Sequence, residues 1–192
     1  MLESLRQPLE NGKVFISRAA RQAEFPASFQ LVVAMNPSPS GHHKDGRSSS
    51  DQIRRYLSRL SGPFLDRIEL QVEVPLLPKG SLSQHKTEEH SAIIRQRVVA
   101  ARAIQNQRQG KANARLNLTE LEQHCKLSPA DADYFESCLT QLKLSARSYH
   151  KLIKVARTLA DLAERPQIER SDLLEALSYR SFDRLLNYLQ SA

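Results

Sequence analysis

Long apolar runs are missing from this 192-residue sequence, and its first residues lack the pattern of an export signal. A membrane-spanning helix needs roughly 20 mainly apolar residues, and no stretch approaches that length. Met1–Ser4 has no basic region followed by an apolar one, as a secretory signal would have. The sequence therefore predicts no membrane partner and no secretion, and it favours a cytoplasmic location.

Cysteines are also scarce, since the two present, Cys125 and Cys138, lack the spacing of metal-binding cysteines. The simplest interpretation is a pair of free, buried thiols in a cytosolic protein. His42 and His43 are adjacent, but histidines without further ligands are usually just exposed. We therefore expect no metal site in this chain.

Overall composition sets wide bounds on the fold and on the partner. Hydrophobic residues make up 40% of the chain, which suffices for one substantial domain or two small ones. The formal net charge of +7 is compatible with a polyanionic partner. Charge by itself does not separate a nucleic-acid partner from ordinary solubility.

The most continuous apolar stretch runs from Phe29 to Met35 and stops at Asn36-Pro37. A run this short suits a strand that is buried on both faces of a parallel sheet. Ligands in open α/β sheets lie beyond the carboxyl ends of such strands, so Asn36 is well placed to contact a nucleotide phosphate or its attacking water. The alternative is an Asx-type turn residue that merely ends the strand.

A β-hairpin is expected before this run. A strand over Lys13–Arg18 would return over Gln22–Phe25 and bring Arg18, Arg21 and Lys13 near one another. Such a basic hairpin could contact DNA, or it could be a solvated basic loop.

Downstream of the run, Ser50 and Asp51 predict the start of a helix, and apolar residues recur at helical spacing from Ile53. The segment Ile68–Val74 alternates between apolar and polar residues, which is typical of an edge strand. Arg67 would then lie at the start of that strand and face outward. It could equally be an ordinary arginine in a salt bridge.

From Thr87 onward, after a linker-like segment, the pattern is purely helical. The apolar stripe of the first long helix consists of Ile94, Val98 and Ala101. From Arg95 to Arg115 there are six basic residues and no acidic one. Arg95 and Arg102 lie away from the stripe and could follow a phosphate backbone. A solvated helical face explains them equally well, and no aromatic residue is present to stack on bases.

The clearest helix follows Ser145. Its core stripe consists of Leu152, Val155, Ala156, Leu159, Leu162 and Ala163. At 100° per residue, Arg147 lies nearly opposite the middle of that stripe. This orientation is required of an arginine that reaches across a cleft, and it is equally expected of a surface residue.

Three stretches taken together resemble one family closely: AMNPSPSG, QIRRYLSRLSGPFLDRIEL and LSARSYHKLIKVARTLADLA. They look like the C-terminal part of the magnesium-chelatase-like AAA+ ATPases of bacteria, in the competence protein ComM (YifB) group. The resemblance runs from about Met1 to Arg180. It implies that Asn36 is sensor 1, that Arg67 is the arginine finger offered to a neighbouring subunit, and that Arg147 is sensor 2.

The sequence departs from that family in two ways. Family members commonly carry cysteines where this chain has Ser38 and Ser40, so any metal site made by those cysteines would be absent. The chain also lacks a G-x-x-x-x-G-K-[ST] phosphate loop and an apolar strand that ends in Asp-Glu. We expect a C-terminal fragment, without ATP hydrolysis of its own, from a full-length protein that uses ATP and Mg²⁺.

The resemblance thus implies an α/β partial AAA+ core with a truncated sheet over residues 1–79, followed by an all-α helical lid bundle over residues 80–192. The leading functional hypothesis is part of a homo-hexameric, ATP-driven DNA motor, similar to a branch-migration helicase of natural transformation and recombination. A magnesium chelatase-type subunit and a non-ATPase helical DNA-binding or adaptor module are the alternatives. The candidate DNA contacts are Arg18, Arg21, Arg95, Arg102, Arg108 and Lys111.

Overall fold

The computed structural model describes residues 2–18, 21–41, 46–80, 89–142, 144–182 and 185. The chain divides into two compact units, one that includes Met1–Ile68 and one formed by Glu69–Arg184. The His42-His43 pair lies outside the described residues, as does the expected helix start at Thr87. Among the described helices, none combines the length and apolar character needed to cross a membrane.

The first unit begins with a short helix and the predicted hairpin. A 3₁₀ turn over Leu2–Leu5 leads into α1 (Arg6–Asn11), which ends at Gly12 in the left-handed conformation, φ 66°. Glycine adopts this backbone conformation at no steric cost, which explains why the helix stops there. Strands β1 (Lys13–Arg18) and β2 (Arg21–Pro26) then pair antiparallel.

The register of this hairpin confirms one part of the basic cluster and corrects another. Arg18 is paired directly with Arg21 at the turn end, whereas Lys13 is paired with Pro26 at the opposite end. Strand residues rise about 3.4 Å each, so Lys13 is far from the two arginines. Its side chain instead forms an ion pair with Glu24, at 2.5 Å.

Two short helices follow, and both begin at serine caps. Helix α2 (Ser50–Leu57) starts from Ser49, whose hydroxyl accepts from the Gln52 amide in a full capping box. The cap is therefore one residue earlier than the predicted Ser50, although Asp51 does lie in the first turn. Helix α3 (Gly62–Leu65) was not predicted and starts from Ser61 in the same way.

The two strands predicted for Phe29–Met35 and Ile68–Val74 are wrong. Both segments lack regular structure, apart from a single bridge between Gln71 and Arg180. Most of their apolar side chains are exposed, with Val32 at 84%, whereas Gln71 is buried. The physical reason is that a strand needs a ladder partner. In the described part of the chain, the sheet contains β1 and β2 alone. A small sheet with helices remains consistent with a partial α/β core.

The second unit is helical, as predicted. Its helices are α4 (Ser91–Gln109), α5 (Leu118–His124), α6 (Pro129–Gln141), α7 (Ala146–Leu162) and α8 (Arg170–Ser178), with a 3₁₀ turn over Asn113–Arg115. Ser128 and Ser145 cap α6 and α7, because each hydroxyl accepts a hydrogen bond from a backbone amide of the first turn.

Helix α7 is at the centre of the core in this unit. The core side chains are Leu116, Leu121, Cys125, Phe135, Leu139, Leu152, Ile153, Ala156, Ala160, Ile168, Leu173, Ala176 and Leu177. The predicted stripe is displaced, since Leu162 is 42% exposed while Ile153 and Ala160 are buried. In α4, Ala101 is buried but Ile94 and Val98 are about half exposed. The first half of that helix therefore extends beyond the packed bundle.

Candidate functional site

Asn36 lies at the end of the irregular segment that follows β2. Its side chain is exposed, and a turn over Pro39 and Ser40 then brings Gly41 back to Ser38 in an isolated bridge. Asn36 thus ends an irregular segment, whereas the sequence predicted the end of a strand. An exposed carboxamide can both donate and accept hydrogen bonds, which is the chemistry needed to orient a water molecule.

Arg67 follows α3 and does not face outward. Only 10% of its side chain is exposed. Its Nη1 donates to the Pro63 carbonyl at 2.5 Å, and its Nη2 forms an ion pair with Glu10 at the end of α1. The predicted outward orientation depended on an edge strand that did not form.

Arg147 is the second residue of α7 and is exposed, as its position opposite the core stripe predicted. The Ser145 cap fixes the start of the helix, since its hydroxyl accepts from the Ser148 amide at 3.3 Å. Ser148 itself is buried. The helix therefore holds Arg147 on the solvent side of a rigid first turn.

The candidate DNA-binding residues fall into two groups. Arg21, Arg95 and Arg102 have exposed side chains, whereas only the backbone of Arg18 is described. Arg108 and Lys111 are instead engaged within the unit, by Asp161 and by Glu120 respectively. Their charges serve internal pairing, so a phosphate contact by this surface depends on Arg95 and Arg102.

Arg108 belongs to a buried ion cluster that the sequence analysis missed. Asp161 of α7 has no exposed side-chain surface and accepts four hydrogen bonds. Arg108 Nη1 and Nη2 donate at 2.6 and 2.9 Å, Asn113 Nδ2 at 2.8 Å and Arg157 Nε at 3.1 Å. The cluster thereby ties α4, the 3₁₀ turn and α7 together.

The charges in this cluster support one another. Burial would raise the pKa of Asp161, but the hydrogen bonds from Arg108 and Asn113 and the charge of Arg157 lower it below its usual value. The hydrogen bond to Asp161 raises the pKa of Arg108. The side chain of Arg157 is only 2% exposed. Its Nη1 donates to the Pro166 carbonyl at 2.8 Å, and its Nη2 donates to the Arg165 carbonyl at 2.6 Å. Burial lowers the pKa of Arg157, although the charge of Asp161 opposes that shift. The contacts join parts of the same unit, so the cluster is structural.

Three serines converge where the family resemblance implies cysteines at two positions. Ser38 Oγ lies 3.1 Å from Ser40 Oγ, which lies 2.8 Å from Ser48 Oγ, and Ser38 is buried. Neutral hydroxyls that bond to one another do not fit the soft, thiolate-type metal site that cysteines make. This cluster holds the turn together through hydrogen bonds instead.

The described residues contain no cluster that would hold a metal ion through side chains alone. Among them there is no group of three or more His, Cys, Asp or Glu side chains placed to hold a metal ion. Magnesium in nucleotide sites is held differently, by one or two carboxylate or hydroxyl groups together with the phosphates.

Known proteins are similar to this chain over its whole length. The model for the family described as magnesium chelatase, subunit ChlI, matches residues 1–82, and the model for the C-terminal region of that subunit matches residues 88–180. Competence protein ComM of Haemophilus influenzae is 53% identical over 194 residues, covering 100% of this chain and 38% of that protein. The uncharacterized YifB proteins of Salmonella typhimurium and Escherichia coli are 49% and 50% identical, covering 98% of this chain and 38% of each relative. The chain thus spans well under half the length of these relatives and matches their C-terminal part.

Proposed function

Because the chain belongs to the magnesium-chelatase-like family, in the group of ComM and YifB, we propose that it is the sensing and trans-acting part of an AAA+ ATPase. The full-length protein would assemble as a homo-hexamer in the cytoplasm and use ATP to move along DNA, as a branch-migration motor. The term full-length protein means a protein as long as these relatives, with this chain as its C-terminal part.

The observation that carries this proposal is the match over the entire chain to a competence protein. The roles of Asn36, Arg67 and Arg147 are taken from the resemblance of their sequence motifs to the family. Asn36 would orient the attacking water. Arg67 would stabilise the charge that develops on the phosphoryl group in a neighbouring subunit. Arg147 would couple the position of the lid to the γ-phosphate. Such an arginine finger is worth ~10³–10⁵ in rate.

The proposal divides the groups of the ATPase site between this chain and the region that precedes it in the full-length protein. The phosphate loop, its lysine and the acid that holds Mg²⁺ would come from the region that precedes this match in the relatives. Residues 1–79 would complete the α/β core and residues 80–192 would form the lid. The boundary between the two matched family models, between residues 82 and 88, supports this division.

The DNA part of the proposal is supported by the charge on α4. Arg95 and Arg102 are exposed, seven residues apart in the sequence, so that they lie two helical turns apart on one side of the helix. Such a row of cations can contact successive phosphates along a DNA strand. Arg18 and Arg21 at the hairpin tip would provide a second contact.

The decisive experiment measures the ATPase rate of the full-length protein with and without branched or single-stranded DNA. We expect stimulation by DNA, and loss of most of the rate in Arg67→Ala and in Arg147→Ala. Arg59→Ala, which removes an exposed arginine of the same unit, is the control and should retain the rate. Equal rates with and without DNA would contradict the motor, and unchanged rates in both variants would favour an adaptor without an ATP role.

A second candidate is a chelatase-type subunit, because both matched family models carry the magnesium chelatase description. That function predicts an ATPase that is insensitive to DNA and is stimulated by a porphyrin-loaded partner. The isolated 192-residue chain should bind ATP weakly or not at all under either function, and titration calorimetry would measure this. Tight stoichiometric binding would refute the proposed division of labour.

A further inference from the structure

Arg67 is held inside its own subunit by two contacts from different elements. Glu10, in the last turn of α1, forms an ion pair with Nη2, and the carbonyl of Pro63 in α3 accepts from Nη1. Glu10 and Arg67 are 57 positions apart, so this pair is a tertiary contact between α1 and the segment that follows α3. It fixes the far end of a long, otherwise flexible side chain.

The carbonyl contact has a structural reason of its own. In a short helix the last carbonyls lack a partner within the helix. Around α3, three of the carbonyls accept from backbone amides: Ser61 from Leu65, Gly62 from Asp66 and Phe64 from Arg67. The carbonyl of Pro63 accepts from the Arg67 side chain instead. Arg67 therefore caps the helix that immediately precedes it, and Glu10 then sets the direction of the guanidinium.

The guanidinium keeps donors for another acceptor while it is held. An arginine has five N–H donors in a planar fork, and the two contacts use one hydrogen on each η nitrogen. One further hydrogen remains on each of those nitrogens. Arginine binds phosphate oxygens through such paired donors. Nε is buried and has no hydrogen-bond partner among the described residues. Since only 10% of the side chain is exposed, an anion bound while the Glu10 pair is kept would be held through the remaining η hydrogens.

We propose that Glu10 is the positioning residue of Arg67, an inference that rests on the proposed role of Arg67 as an arginine finger. Glu10 orders the guanidinium before a neighbouring subunit presents its nucleotide. A group that is ordered in advance contributes most to the transition state, and a misplacement of about 1 Å can cost ~10²-fold in rate. Without Glu10, Arg67 would still be present but would be misdirected.

The test uses the full-length protein and the variants Glu10→Ala, Glu10→Gln and Arg67→Ala. We expect Glu10→Ala to lower kcat by ~10–100-fold with little change in KM for ATP. Glutamine retains an oxygen acceptor, so Glu10→Gln should recover part of the loss. Glu24→Ala is the matched control, because Glu24 forms a similarly exposed ion pair, with Lys13. It should leave kcat unchanged.

A double variant separates positioning from a purely structural role. If Glu10 acts through Arg67, the combined Glu10→Ala and Arg67→Ala protein should be no slower than Arg67→Ala alone. Multiplication of the two losses would overturn the inference, as would a kcat for Glu10→Ala equal to that of the Glu24 control. If Arg67→Ala itself has full activity, the proposed function fails instead, and the two failures are thereby distinguished.

A readout without nucleotide is available in the 192-residue chain itself. The side-chain N–H signals of an ordered arginine are resolved in ¹⁵N NMR spectra when its guanidinium is immobilised. We expect the Arg67 signals to be sharp in the unmodified chain, to broaden in Glu10→Ala and to persist in Glu24→Ala. Arg67 signals that are identical in all three proteins would contradict the ordering role of Glu10, whatever the ATPase data show.

Discussion

Replacement of Asp161 by asparagine should destabilise the helical unit more than any surface change. The carboxylate accepts hydrogen bonds from Arg108, Asn113 and Arg157 and has no exposed surface. Asparagine has nearly the same shape, but one oxygen becomes an NH₂ group that points at other donors. The side chain also loses the negative charge that is paired with Arg108 and Arg157.

The magnitude follows from what remains after the substitution. Arg157 is only 2% exposed on its side chain, so its charge would stay buried without a counter-ion. Removal of one partner of a buried ion pair typically costs ~3–5 kcal/mol. Arg108 is 22% exposed and can turn partly toward water, which reduces its share. We therefore expect a loss of about 3–4 kcal/mol in the free energy of unfolding.

Urea unfolding of the whole chain, followed by circular dichroism at 222 nm, measures this loss. Asp133→Asn is the matched control, because Asp133 is an exposed aspartate of the helical unit, in α6. That variant should remain within about 0.5 kcal/mol of the unmodified chain. A loss below about 1 kcal/mol for Asp161→Asn would refute the argument that the buried charges depend on this carboxylate.

The same carboxylate makes stability depend on pH in a defined direction. Its pKa is lower in the folded chain than its usual value, because the hydrogen bonds and nearby arginines outweigh the effect of burial. The unfolded chain therefore binds a proton first, and the stabilisation by Asp161 is present above its ordinary pKa, about 4. It is lost as the pH falls through the lowered folded value. In Asp161→Asn this part of the acid dependence should disappear.

Three further predictions concern separate parts of the chain. Burial raises the pKa of the Cys125 thiol to about 11, so at pH 8 it should react with a thiol reagent far more slowly than Cys138, which absorbance would follow. Ser49→Ala removes the cap of α2 and should cost about 1 kcal/mol in the free energy of unfolding, measured by urea titration. Arg95→Ala and Arg102→Ala should each reduce the slope of log K against log salt for DNA binding by about 1, measured by fluorescence anisotropy.

Each of these predictions has an outcome that would contradict it. Equal labelling rates for the two thiols would show that Cys125 is not shielded. Ser50→Ala, the neighbouring serine, should have little effect, and an equal loss there would argue against the cap at Ser49. An unchanged salt slope in both arginine variants would place the DNA contact, if any, away from α4.

Local chemistry was predictable from the sequence where a few neighbouring residues decide the outcome. Ser128 and Ser145 cap their helices because each cap is completed within three residues, and Gly12 ends α1 for the same kind of local reason. The β-hairpin formed because its two strands are joined by a short connection. In each case the sequence contains both partners of the interaction side by side.

Features that depend on distant partners were mispredicted or missed. Phe29–Met35 has the composition of a buried strand, yet its ladder partner is not encoded in its own residues. The buried cluster was missed because Arg and Asp side chains such as those of Arg157 and Asp161 are mostly exposed in folded proteins. Neither residue was assigned a role from the sequence. Their spacing was the available signal, since both lie on the same face as Ile153 and Ala160 at 100° per residue. A charged pair within an apolar face indicates an internal ion pair.

The uneven support of α4 has a mechanical consequence. The ion pair between Arg108 and Asp161 anchors the second half of the helix. Residues 91–100 are all exposed and form an arm that extends from the anchored half. Ten helical residues span ~15 Å, so a swing of about 10° at the anchor carries the arm's tip by ~3 Å. Small rearrangements beside α7 are thereby amplified at the start of the helix. Arg95 lies within residues 91–100 and would move with them, whereas Arg102 lies beside the buried Ala101, nearer the anchor, and would move less.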